Sequence, residues 1–105
     1  MSDPVDLAVP ALTDLSVSVY FPGETGPPTA HLFGLRSTFV STPGDLTQAS
    51  DMPNPARVME SYYWLAGVDV LAPAGAGTIV TFGDSITDGD QSAHDRLAPW
   101  PAVLA

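Results

Sequence analysis

Cysteine is absent from this 105-residue sequence. Its absence excludes a disulfide scaffold, a thiolate metal site and a cysteine nucleophile. It leaves the compartment open, because many secreted proteins also lack disulfides. Lysine is missing too, so Arg36, Arg57 and Arg96 are the only bases against twelve acids. The resulting net charge of -9 repels phosphate backbones and anionic lipid surfaces, which argues against nucleic-acid binding. No apolar run approaches the length of a membrane span. The opening "MSDPVDLAVP" has neither the basic n-region nor the apolar core of a signal peptide. No internal repeat at solenoid spacing is visible.

What is present favours a small, turn-rich globular unit. The hydrophobic share is 45%, too high for wholesale disorder. Eleven prolines and nine glycines favour short strands and turns over long helices. Residues 15–21, "LSVSVYF", alternate, with Leu15, Val17, Val19 and Phe21 on one side and Ser16, Ser18 and Tyr20 on the other. That period predicts a half-buried strand. "PGETGPP" (22–28) predicts a turn, and "TAHLFG" and "LRSTFVS" two short strands around Gly34. Residues 42–57 carry too many turn formers for an element and predict an exposed loop. The aromatic and β-branched run 61–72, "SYYWLAGVDVLA", predicts one or two strands with a bulge at Gly67.

"PAGAG" (73–77) then divides the chain into a β-rich region, 1–74, and a different unit, 75–105. "TIVTF" (78–82) is apolar without alternation, as expected of a strand covered on both faces in a parallel α/β sheet. "WPAVLA" (100–105) predicts a helix start, with Pro101 in the first turn where its missing N–H costs least. One strand, one loop and one helical turn cannot enclose a core, because a parallel strand needs a neighbour strand and covering helices. The expectation is that these residues are a piece of something longer.

Between strand and helix lies "GDSITDG", residues 83–89. A glycine before a serine lets the backbone turn sharply off a strand end. Ser85 is thereby put at the carboxyl edge of the sheet, where α/β folds place ligands. A serine hydroxyl is a weak nucleophile at neutral pH and needs a base, an orienting partner for that base, and donors for the oxyanion. The motif is not the G-x-S-x-G elbow of α/β-hydrolases, since Thr87 stands two places after Ser85.

These residues resemble the first block of the GDSL/SGNH esterases and lipases, an apolar strand running into G-D-S-I-T-D-G. Further on, Trp100, Pro101, Leu104 and Ala105 are similar to that family's R-W-P-D-x-L-A stretch. Pro99 and Ala102 replace the arginine and the aspartate of that stretch. The likeness is specific over Gly83, Asp84, Ser85, Ile86, Thr87, Asp88 and Gly89, and diffuse upstream, where it looks like the β-rich accessory region of larger members.

The resemblance implies a mixed architecture. A β-rich, sandwich-like region would precede the first strand, catalytic loop and helix start of an α/β, flavodoxin-like SGNH hydrolase domain. It also implies ester hydrolysis through an acyl-serine, with Ser85 as nucleophile and its backbone N–H as one oxyanion donor. No metal and no cofactor are implied. The substrate would be a small-molecule or carbohydrate ester, and family members of this kind are often secreted. The family's oxyanion glycine and asparagine, and its D-x-x-H block, do not occur in these residues. The chain alone is therefore expected to be inactive.

Competing readings start from the same residues. Ser85 could merely cap a turn. Asp84, Asp88, Gly89 and Asp95 fall at positions 1, 5, 6 and 12 of a calcium-type loop. However, Ile86 at position 3 offers no side-chain oxygen, and a strand, not a helix, is predicted before it. The plainer reading of these acids and Asp90 is a solvated loop with a turn at Asp88–Gly89. His94 sits on the same loop as Ser85 without a scaffold and reads as a surface histidine. His31 reads as a structural residue of the β region. Tyr62, Tyr63 and Trp64 suggest either a sugar-stacking platform or, more commonly, core aromatics. The alternative function is thus a non-catalytic β-rich module binding carbohydrate or protein.

Overall fold

A computed structural model describes residues 2–105. Its regular structure begins at β1 (Ala30–His31), which pairs antiparallel with β4 (Tyr62–Tyr63), Ala30 opposite Tyr63 and His31 opposite Tyr62. β2 (Thr38–Val40) pairs antiparallel with β3 (Arg57–Met59), Phe39 opposite Val58. The two pairs are nested in sequence. Residues 29–40 run out and 56–64 return, so the pairs form one interrupted ribbon closed by the loop 41–56. Backbone bonds extend both pairs, from the N–H of Trp64 to Thr29 O at 3.0 Å and from Ala56 to Val40 O at 2.8 Å.

The interruption is asymmetric. Residues 32–37 bulge out opposite only Glu60 and Ser61, with Leu35 in the left-handed region at φ 55°. The bulge is tied down by the Gly34 N–H on Glu60 O at 3.0 Å and by the Ser61 hydroxyl on Leu32 O. It presents backbone and side-chain polar groups sideways, and the segment after position 83 binds there. That segment carries α1 (Ser85–Asp88) and, after a turn-rich loop, α2 (Trp100–Leu104). α2 starts at Trp100, with Pro99 as its N-cap and Pro101 in its first turn, matching the sequence expectation.

Two expected strands are not there, and a third expected run is strand over two residues only. Residues 15–21 form no strand, and Leu15, Val17, Val19 and Phe21 are all exposed. Residues 78–82 form none either, with Phe82 fully exposed at 101%. Of 61–72 only β4 is paired, and Gly67 marks no bulge because nothing lies beside it. The physical reason is common to all three. Extended backbone becomes sheet only when another strand takes its N–H and C=O groups, and apolar periodicity does not provide that neighbour. β3, in turn, lies partly at the end of the predicted loop.

The consequence is a structure without a core. Among the described residues no hydrophobic side chain is buried, and the accessible surface is 9143 Å². A compact monomer of this mass would expose about 5,600 Å². The radius of gyration, 15.5 Å, likewise exceeds the roughly 13 Å of a compact domain of about 100 residues. Among the described residues no helix is long and apolar enough to cross a membrane.

Candidate functional site

The block 83–89 is organised by its own residues. Asp84 caps α1, its Oδ1 accepting the Ile86 N–H at 3.0 Å, which satisfies one of the donors a helix start leaves free. The Ser85 carbonyl accepts from Gly89 at 2.9 Å and from Asp90 at 2.8 Å. Gly89 closes the helix in the left-handed region at φ 106°, a conformation glycine adopts at little cost. It is also the one buried residue among those described. A Cβ there would fall 2.6 Å from Pro99 Cγ and 3.1 Å from Leu35 Cδ1. At Gly83 a Cβ would run into the Thr87 side chain, its Cβ 2.8 Å away. Gly83 therefore answers to packing, and Gly89 to packing and turning alike.

Ser85 is exposed at the first position of α1. Among the described residues nothing accepts its N–H and nothing bonds its hydroxyl. It lines an open depression of about 530 Å³ formed by residues from Thr81 to Asp88. Its side chain faces solvent, and among the described residues its N–H is left without an acceptor.

Three of the four acids of this stretch serve separate partners. Asp84 caps the helix. Asp88 Oδ2 lies 2.8 Å from His31 Nε2. Asp95 is pinned to the bulge, accepting from the Ser37 hydroxyl at 2.7 Å and the Ser37 N–H at 2.8 Å while donating its own N–H to Leu35 O at 2.9 Å. The Ser37 hydroxyl first, and its N–H second, hold the Asp95 carboxyl below the usual carboxylate range. Desolvation opposes this shift, and His94 and Arg36 add to it. Among the described residues no three of these carboxylates and imidazoles converge as a metal cluster.

The two histidines are both engaged away from Ser85. His31, on β1, has Nδ1 at 2.6 Å from the Tyr62 hydroxyl and Nε2 on Asp88. Burial, then the Asp88 charge, raises the Tyr62 phenol above its usual value, so the phenol keeps its proton to donate. His94 is half-buried rather than at the surface. Its Nδ1 lies 3.2 Å from Asp95, and its Nε2, 4.0 Å from Glu60, is buried without a hydrogen bond. The sequence placed His31 in a β region, as found, but not its contact with Asp88, and it gave no sign that His94 would be half-buried beside Glu60; both contacts join residues far apart in the chain. The aromatic run offers no flat platform. Phe21 and Trp64 meet at 4.5 Å and Tyr63 and Trp64 at 5.9 Å, each pair tilted by 51°.

An accessible serine on a capped turn defines a candidate nucleophile site, short of a base. No protein-family model, no curated protein and no solved structure matches the chain.

Proposed function

We propose that residues 83–89 are the nucleophile block of a serine carboxylic-ester hydrolase of GDSL/SGNH type. The observation that supports this most is the state of Ser85. Among the described residues its hydroxyl and its N–H have no partner, and the residue is exposed on the helix-capping turn. In the proposed reaction Oγ attacks the ester carbonyl and a base removes its proton. The oxyanion forms against the Ser85 N–H, and the alcohol departs with the proton. Water then cleaves the acyl-serine by the same route in reverse.

The base and the remaining oxyanion donors come, on this reading, from outside these 105 residues. His31 has both ring nitrogens committed, and His94 is turned to Asp95 and Glu60. Removal of one oxyanion donor alone costs on the order of 10²–10³ in rate, so an incomplete set leaves little activity. The chain by itself is expected to show no Ser85-dependent hydrolysis of p-nitrophenyl acetate.

The test of the block is a chimera in which residues 75–105 replace the first strand, loop and helix start of a GDSL/SGNH esterase. Hydrolysis that disappears with Ser85→Ala is expected. A folded chimera that does not hydrolyse the ester, or one indifferent to Ser85→Ala, contradicts the proposal.

A further inference from the structure

His31 does something for α1 that a core histidine of a ribbon has no reason to do. Its imidazole is the middle member of a hydrogen-bonded chain, Tyr62–His31–Asp88, that runs from β4 through β1 to the last residue of α1. An ionised carboxylate only accepts, so Nε2 carries the proton toward Asp88. With a single ring proton, placed on Nε2, Nδ1 accepts and the Tyr62 hydroxyl donates to it. The Tyr62 ring meets the imidazole edge-on, with centroids 4.9 Å apart, which restrains the ring plane as well. Asp88 and Tyr62 together thus select one tautomer, and the ribbon's Tyr62 ring holds the imidazole's orientation.

Asp88 follows Ser85 by three residues, and on a helix such positions are neighbours on one face. The Gly89 and Asp90 amides, directly after Asp88, close on the Ser85 carbonyl. Holding the Asp88 side chain therefore sets the rotation of the short helix about its axis, and with it the direction in which Ser85 is presented. α1 has four residues and cannot hold its own orientation, since isolated helices below roughly 12–15 residues are marginal in water.

The geometry points to His31 as a positioning residue: oriented by the Tyr62 hydroxyl, it grips Asp88 and fixes the turn that carries Ser85. The docking stands on these contacts alone; its service to catalysis rests on the reading of Ser85 as nucleophile.

The test uses the full chain labelled with nitrogen-15. Long-range proton–nitrogen correlation of the imidazoles is expected to show His31 as the Nε2–H tautomer, with the Nδ1 signal moving in Tyr62→Phe. Hydrogen exchange at Gly89 and Asp90 is expected to accelerate about fivefold in His31→Ala, the factor a typical net hydrogen bond supplies. Asp88→Ala, which leaves β1 and β4 untouched, should accelerate exchange equally. His31→Gln, whose amide N–H can reach Asp88, should recover most of the protection. An Nδ1–H tautomer, unchanged exchange in Asp88→Ala, or a glutamine no better than alanine would overturn the assignment. Failure of the nucleophile reading is seen separately, as ester hydrolysis by the chimera that ignores Ser85→Ala.

Discussion

Residues 78–82 and residues 83–95 adjoin in sequence and behave in opposite ways. The first stretch is the most strand-like apolar run of its half, yet it is unpaired, with Ile79, Val80 and Phe82 exposed. The second is polar and turn-rich, yet it is held to the ribbon at His31, Leu35 and Ser37 through named atoms at 2.7–2.9 Å. The difference teaches what each kind of interaction needs. Hydrophobic stabilisation grows with area removed from water, about 25 cal/mol per Å², and a strand with no sheet removes none. A hydrogen bond needs only one partner in the right place and contributes about 1 kcal/mol net. The polar stretch finds such partners in His31 of β1 and in the bulge at 32–37, and the apolar stretch finds no surface to cover it.

The comparison is broken most severely at Gly89. Gly89→Val puts a branched side chain at φ 106° and against Pro99. The left-handed backbone alone costs about 1–2 kcal/mol. Exchange protection at Gly89 and Asp90 should vanish, and retained protection would show that the turn is not packed as described. Asp84→Ala removes the helix cap, typically about 1 kcal/mol, and the Ile86 amide should be the first to lose protection.

Acid tests the Asp95 contact. Its carboxyl is held below its ordinary value of 3.8, so the native state binds fewer protons than the unfolded chain. The stabilisation is complete above that ordinary value and is lost as pH falls through the lowered one. The Ser37 amide shift, followed downward in pH, should stay constant until below the ordinary carboxylate range. A change near neutrality would point to another group. The smallest effect belongs to the loose side of the comparison. Phe82→Ser should change stability by no more than about 0.5 kcal/mol, read by urea titration. A larger loss would mean that residues 78–82 are covered after all.

How much of this was legible in the sequence follows the same division. Features set within a few residues could be read: the turn at Asp88–Gly89, the start of α2 at Trp100 with Pro101 in its first turn, and short strands at Ala30–His31 and Thr38–Val40. Features set by a distant neighbour could not. The alternation of 15–21 is real, but pairing decides whether alternation becomes a strand. β3 was hidden because "RVM" is too short to carry a period. The contacts His31–Asp88 and Ser37–Asp95 join residues 57 and 58 positions apart, and no local pattern encodes them. At the site, the motif marked Ser85 and its glycines. The docking of the motif's second aspartate on a ribbon histidine emerged only from the folded chain.

The central claim is that the Ser85 hydroxyl attacks esters, and the most direct measurement looks for the covalent product. The chimera carrying residues 75–105 is mixed with p-nitrophenyl acetate, quenched in acid during turnover and mapped by mass spectrometry. The account predicts an acetyl group on the peptide containing Ser85, absent in Ser85→Ala. Turnover by a folded chimera with no acetyl on that peptide, or with the acetyl on another residue, would contradict it.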